Sequence, residues 1–307
     1  MDIPESAQRE MYRWMGEKTG EFLSLVDARL NKYSSQWQLS DLAFMPTNTV
    51  NLLFSCKSLL NGQCVLKMCI PGPEVATEAN CLLAYDGTAY CKLWAFDLTD
   101  DVLLLERVIP GDQMWEVIDY RERARLMALT VKDLPVGYSG PDKYPTYLSW
   151  MEGIRSKLTD IGGLGDILFY LDKALEIYGE LKQRHNQNCL LHGDLHHENM
   201  LLNAKGGYTI IDPKGVVDDP VMETARFLMC ETEHHNETEK ILEMVKIMSP
   251  IVGYSEHDML KSMFVDAALG QSWCMEEHYS TKEAFLEAKT NALETCEFVL
   301  GLVAIMG

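Results

Sequence analysis

Basic residues are scarce in this chain: 27 Lys and Arg stand against 46 Asp and Glu, a net charge of −19 over 307 residues. Phosphate backbones are gripped by clustered Lys and Arg, so the shortage argues against nucleic acid as a partner. Long apolar runs are also missing. The longest, Phe298 to Met306, is too short to cross a bilayer, so neither a membrane span nor a membrane partner is expected. None of the nine cysteines forms a Cys-x-x-Cys pair, their number is odd and no secretory leader precedes them. Reduced thiols in a cytoplasmic protein are the expectation. What is present is ordinary for a soluble globular protein: 47% hydrophobic and 24% charged residues, in a chain long enough for one or two domains. The acid excess deepens toward the end, with 14 acids against 5 bases from residue 231 to 297. Two readings fit it, a solvated surface or an acidic funnel for a cationic substrate.

Periodicity divides the chain. Residues from Glu5 to Lys32 have helical spacing, with Met11, Met15, Phe22, Val26 and Leu30 recurring. From Leu39 to Leu105 short β-like runs take over: Val50–Cys56, Cys64–Ile70, Cys91–Phe96 and Val102–Leu105, with an Asn61-Gly62 turn signal and one helix over Pro73–Tyr85. Beyond Pro110-Gly111 helices dominate, at Met114–Leu129, Leu148–Leu158, Gly165–Gln187, Glu233–Ile247, Glu256–Met275 and Lys282–Val303. Pro135–Tyr147, rich in Pro and Gly, reads as a surface loop. The fold expected is α+β with two lobes, residues 1–107 and 108–307, a small antiparallel sheet followed by a larger helical part.

One stretch interrupts the helical half and carries the chemistry. His192-Gly193-Asp194-Leu195-His196-His197-Glu198-Asn199 is followed, thirteen residues after Asn199, by Asp212 in Ile211-Asp212-Pro213. The kinase catalytic loop has the same order of Asp, Asn and a second Asp. Phosphoryl transfer needs an oriented nucleophile, a held triphosphate and neutralised charge. Asp194 is the candidate base for the attacking hydroxyl. Asn199 and Asp212 are candidate Mg²⁺ ligands, being hard oxygen donors. Lys67, in Cys64-Val65-Leu66-Lys67-Met68, matches the strand lysine that contacts nucleotide phosphates, and Glu78 eleven residues on is its candidate ion-pair partner, with Glu74 a competitor. The backbone of Glu106, Arg107 and Val108, at the crossing into the helical part, is placed to meet adenine. His192, His196 and His197 near Cys189 invite a zinc reading, but no second cluster has ligand spacing. His192 is read as bracing the loop by a hydrogen bond, and His196 and His197 as exposed.

With Gly193 after His192, and Ile211-Asp212-Pro213 in place of Asp-Phe-Gly, the chain resembles the aminoglycoside phosphotransferase branch of kinase-like proteins. Leu191 to Asn199 and Ile211-Asp212-Pro213-Lys214-Gly215-Val216-Val217-Asp218-Asp219-Pro220 are similar to the aminoglycoside/hydroxyurea resistance kinase family. Pro71-Gly72-Pro73-Glu74, Thr77-Glu78-Ala79 and Leu103 to Arg107 support it, over roughly residues 44–280. The resemblance implies a two-lobe kinase-like fold, ATP and Mg²⁺ as cofactors, and O-phosphorylation of a small, hydroxylated, aminoglycoside-like acceptor. Carried onto this chain, Asp194 is the base, Asn199 and Asp212 hold metal, Lys67 contacts phosphate and Glu78 pairs with it. One departure is that the phosphate loop Pro46-Thr47-Asn48-Thr49-Val50 lacks glycine, leaving Thr47, Asn48 and Thr49 to approach phosphate and ATP against GTP open. On acidity and position Glu223, Glu231, Trp273 and Glu276 are candidate acceptor contacts, and Lys214 a cation beside Asp212. Two alternatives remain: a nucleotide-binding pseudokinase without turnover, and a small-molecule kinase with a metabolic acceptor. A protein kinase is disfavoured, because no Ala-Pro-Glu element follows Asp212.

Overall fold

Residues 5–36 break twice, at Gly16 and at Leu25. A computed structural model describes residues 3–46, 50–140, 143–232 and 237–307. In place of one helical stretch it has α1 (Glu5–Met15), α2 (Lys18–Ser24) and α3 (Val26–Gln36), with Gly16 ending α1 at φ +55°. That left-handed turn suits a residue without Cβ. Then come β1 (Leu39–Met45), β2 (Leu52–Ser58), β3 (Gly62–Met68), α4 (Glu74–Tyr85), β4 (Leu93–Asp97), β5 (Val102–Glu106) and β6 (Pro110–Gln113). The helical part continues with α5 (Tyr120–Asp133), β7 (Val136–Gly137), α6 (Tyr147–Ile161), α7 (Gly165–Arg184) and β8 (Cys189–Leu191). After it run β9 (Met200–Asn203), β10 (Tyr208–Ile210), β11 (Val216–Asp218), α8 (Ala225–Cys230), α9 (Thr238–Val252), α10 (Glu256–Cys274) and α11 (Lys282–Met306).

These elements form two compact units. The first is residues 1–112 with 201–212 and 277–279, and the second is 113–200, 213–276 and 280–307. The expected division at 107/108 was contiguous, whereas here the 201–212 hairpin groups with the first unit.

In the first unit five antiparallel strands lie in the order β1-β2-β3-β5-β4, so β3 is central. Leu52, Phe54 and Cys56 on β2 and Cys64, Leu66 and Met68 on β3 share one buried face with Met11, Phe22, Val26, Leu30 and Tyr33 of α1–α3. Strand alternation therefore sends Val65 and Lys67 to the other face. The β9–β10 hairpin is tied to the loop before β4, with the Ile210 amide donating to the Ala89 carbonyl and the Cys91 amide to the Ile210 carbonyl, both at 2.8 Å.

The second unit is built around α10, which is buried on nearly every side and packs against α6, α7, α8, α9 and α11. Here the sequence expectation placed a helix from Met114. The helix instead starts at Tyr120, where the Asp119 side chain accepts the Arg121 amide, and Met114–Glu116 is a short 3-10 turn. The 3-10 turn Pro220–Thr224 and the six-residue α8 were not expected, being too short to display a helical period. Residues 233–236 of the expected Glu233–Ile247 helix lie outside the described residues. No helix among the described residues is long and apolar enough to cross a membrane.

Glu231, a candidate acceptor contact, proves to be an internal brace. Its side chain is fully buried, and its oxygens take Nε and Nη2 of Arg123 at 2.6 and 2.7 Å, His197 Nε2 at 2.7 Å and the Lys240 ammonium at 3.1 Å. His197 was expected to be exposed. It is buried, stacked between Trp115 and Phe227 at 3.7 and 4.5 Å between ring centroids, because its imidazole supplies a polar partner for Glu231 inside an aromatic sandwich. Burial would raise the Glu231 carboxyl, but His197, Arg123 and Lys240 hold it down at about 2. Removing one partner of such a buried set strands the other charges, so Glu231→Ala is expected to cost about 3–5 kcal/mol of unfolding free energy. With its pKa depressed in the folded chain, Glu231 contributes fully above its ordinary value of 4.5 and loses that contribution as pH falls toward about 2. Urea unfolding of parent and variant should show a gap that narrows over that interval.

Candidate active-site residues

In the first unit Lys67 lies on the central strand, opposite Leu53 on β2 and Leu103 on β5. Its side chain is 4% exposed, and its ammonium donates to both oxygens of Glu78 at 2.8 Å and to Asp212 Oδ1. Burial alone would lower the Lys67 pKa, but the charges of Asp212 and Glu78 hold it well above its ordinary value. Glu78 therefore is the lysine's partner, and Asp212 joins them. Asp212 follows β10 in the left-handed region, at φ +59°, with its side chain 41% exposed. A non-glycine residue held there stores roughly 1–3 kcal/mol of strain, which is typical of a functional position.

Glu106 ends β5, and its amide donates to the Lys92 carbonyl at 2.8 Å while its carboxylate accepts the Lys92 amide at 3.1 Å. The Arg107 amide donates to the Gln63 carbonyl at 3.3 Å. Both amides are thus used by backbone carbonyls, and Val108 follows them in the chain. Thr47, Asn48 and Thr49 lie outside the described residues.

In the second unit the 192–199 loop leaves β8, the middle strand of the β11-β8-β7 sheet. His192 is fully buried; its Nδ1 accepts the Asp194 amide at 3.1 Å and its carbonyl accepts the Lys214 and Gly215 amides at 2.9 and 3.1 Å. That is the bracing expected of it. Gly193 has φ +77°, and a Cβ there would come within 2.7 Å of Val216 Cγ1 and 3.1 Å of the Trp150 ring. Only glycine fits. The Asn199 side-chain nitrogen donates to the Asp194 carbonyl at 2.9 Å, a bond that leaves the side-chain oxygen as an acceptor.

Glu223 was a candidate acceptor contact. It is buried at 2% exposure, and its carboxylate accepts the His192 and Gly193 amides at 2.8 and 3.3 Å, so it supports the loop from beneath. Burial pushes its pKa up to about 7 against the pull of those two amides, with Asp194 adding to the rise. Trp273 is half-buried and meets Trp150 edge-on at 5.5 Å, which places it one ring away from Gly193. Glu276 pairs with Lys157 at 2.8 Å.

Asp194 itself is 25% exposed, with Oδ1 3.2 Å from Arg226 Nε. Burial would raise its pKa, but Arg226, Lys214, His196 and His192 keep it below the ordinary value, so its carboxylate is ionised at neutral pH. Neither Arg226 nor Asp266, whose Oδ2 is 3.4 Å from the same nitrogen, was among the expected residues. The available signal was a lone base in the otherwise apolar stretch from Ala225 to Met229.

Substituting Gly193 by Ala combines left-handed strain with overpacking against Val216, so a loss of roughly 1–3 kcal/mol in thermal unfolding is expected. Turnover should fall at least about tenfold in the same protein, since a shift of a few tenths of an ångström displaces Asp194.

The fold and these residues have relatives. A hydroxyurea phosphotransferase of Kitasatospora aureofaciens is 25% identical over 233 residues, covering 73% of this chain and 66% of that protein, so the chain spans about two thirds of that relative's length. A streptomycin 6-kinase of Streptomyces griseus is 22% identical over 226 residues, covering 71% of each. Among solved structures, a choline kinase of Streptococcus pneumoniae superposes with a TM-score of 0.68 at 13% identity, over 89% of this chain and 99% of that one. A thermostable aminoglycoside phosphotransferase mutant, in a ternary complex with ADP and hygromycin B, superposes at 0.59 and 13% identity, over 89% and 97%. At such identities the superpositions show the fold alone, a kinase-like one. The aminoglycoside/hydroxyurea antibiotic resistance kinase model matches residues 37–277, most of the chain and every element that carries the loop, the lysine and the two aspartates. The chain belongs to that family of phosphotransferases.

Proposed function

We propose that this protein transfers the γ-phosphoryl group of ATP to a hydroxyl of a small, cationic, aminoglycoside-like acceptor, in the presence of Mg²⁺. The observation that carries the proposal is Asp194: an ionised, partly exposed carboxylate at the tip of a loop whose backbone is tied to His192, Glu223 and Asn199. Asp194 accepts the hydroxyl proton as the acceptor oxygen attacks the γ-phosphorus. The bond from that phosphorus to the β–γ bridging oxygen breaks, and ADP leaves. Lys67, kept cationic by Asp212 and Glu78, contacts the nucleotide phosphates.

Asn199 and Asp212 supply the oxygen donors that Mg²⁺ prefers, and the bound ion would neutralise phosphate charge. The fit rests on the donor chemistry: the Asn199 nitrogen is already used by the Asp194 carbonyl, and Asp212 is partly exposed at a strained backbone position. The solved relatives bound to AMP, or to ADP with hygromycin B, support a nucleotide and an antibiotic as the two substrates. The net charge of −19 supports a cationic acceptor. A second reading, a small uncharged acceptor, is favoured by the hydroxyurea phosphotransferase among the relatives.

Two measurements test this. ATP consumption across streptomycin, hygromycin B, hydroxyurea and plain sugars should single out a hydroxylated acceptor, and Asp194→Asn should lower its rate about 10²–10⁴-fold. Full activity in the variant would end the assignment of the base. For a cationic acceptor KM should rise between low and high salt, because exposed charges are screened beyond about 10 Å at 0.1 M ionic strength. A KM indifferent to salt removes the electrostatic argument for a cation and leaves hydroxyurea-like acceptors.

A further inference from the structure

Arg226 has no part in the chemistry above, although its guanidinium lies at the base. Nε is 3.2 Å from Asp194 Oδ1 and 3.4 Å from Asp266 Oδ2, and it lines up for a hydrogen bond with neither. The contact is one of charge, held by shape. Asp266, Gly270 and Trp273 share one face of α10 at spacings of four and three residues. The guanidinium rests on that face at Gly270, where a Cβ would stand 3.3 Å from Nη2 and 3.4 Å from Nη1. Behind it Asp266 is 1% exposed, so its charge has no solvent to turn to, and burial with the nearby Asp194 pushes its carboxyl up to about 6 against the pull of Arg226. Two carboxylates of different exposure therefore share one cation, and only the Asp194 side of it opens to solvent.

We infer that Arg226, seated on Gly270 and backed by Asp266, is the positioning residue for Asp194: it holds Oδ1 so that Oδ2 faces the acceptor hydroxyl. The inference rests on Asp194 being the base. An aspartate side chain turns about two bonds, and one oxygen fixed by a cation of fixed position removes most of that freedom before the acceptor arrives. The glycine at 270 is part of the device, since a Cβ there would crowd the guanidinium and make it give by a few tenths of an ångström. Arg226 touches neither acceptor nor nucleotide in this scheme. Its effect is on turnover, through Asp194.

The test compares Arg226→Met, Arg226→Met with Asp266→Asn, and Gly270→Ala, each alone and with Asp194→Asn. The paired substitution is included because Arg226→Met alone leaves Asp266 as a stranded buried charge and lowers stability. Turnover is read with MgATP and the best acceptor of the panel above, water included, and calorimetric MgATP stoichiometry reports the folded fraction. Expected is a fall in kcat of about 10²-fold for the paired variant, with stoichiometry near one and KM for MgATP and acceptor within about threefold of the parent. Gly270→Ala should show a smaller fall of the same kind. In the Asp194→Asn background the paired substitution should cost nothing more, because residues that act as a unit are not additive. If the paired variant keeps kcat within about threefold while Asp194→Asn is inactive, or if the two losses multiply, Arg226 does not act through Asp194 and the inference is wrong. Activity retained in Asp194→Asn would instead overturn the base itself, a separate failure.

Discussion

Two backbone amides, those of His192 and Gly193, end on one buried carboxylate, and the shape of the 192–199 loop depends on that ending. Glu223 reaches the loop from a 3-10 turn with no room for water around it, so each amide it accepts would otherwise go unpaired at a cost of about 1–3 kcal/mol. Gly193 answers the same constraint from the other side. Its left-handed backbone and missing Cβ let Val216 and Trp150 close over the loop. Asp194 is thereby left at the tip with a fixed backbone and a side chain still partly open to solvent.

The cations follow a common rule in this acidic chain. Lys67 serves Glu78 and Asp212, Arg123 serves Glu231, and Arg226 serves Asp194 and Asp266. Every one of these side chains is less than a quarter exposed, so its charge is unaffordable without a carboxylate beside it. The acids that look like substrate contacts in a linear sequence are, at Glu223 and Glu231, members of this internal set. Other acids, such as Asp119, Glu122 and Glu243, are exposed at the surface.

Much of the fold was legible because it repeats. The β runs near 52–58, 62–68 and 102–106 lie within two residues of their expected positions, and the helices α4, α6, α7, α10 and α11 were each long enough to be read as helices. What escaped was short or interrupted: β1, the 3-10 turn before α8, α8 itself, and the break at Gly16. Six residues are fewer than two helical turns and leave no period to read. The site divides similarly. Lys67 with Glu78 was legible because a strand lysine and a helix glutamate eleven residues apart form a local unit. Arg226 with Asp194 and Asp266, Glu223 with the loop amides, and Glu231 with Arg123 and His197 join residues 30 to 108 apart, and no spacing announces such pairs.

By itself the sequence determined the family and singled out Asp194, Asn199 and Asp212 as candidate residues, since they lie within nineteen residues of one another and their order is a property of the chain. The net charge, the lack of a membrane-length apolar run and the glycine at 193 belong to the same category. The tertiary structure alone decided which acids are buried and which cation answers each of them. Burial depends on what packs above a residue, and here that comes from α5, α8 and α10, far away in sequence. The same carboxylate is a solvated surface charge or a brace with a pKa near 7, as in Glu223, according to that packing.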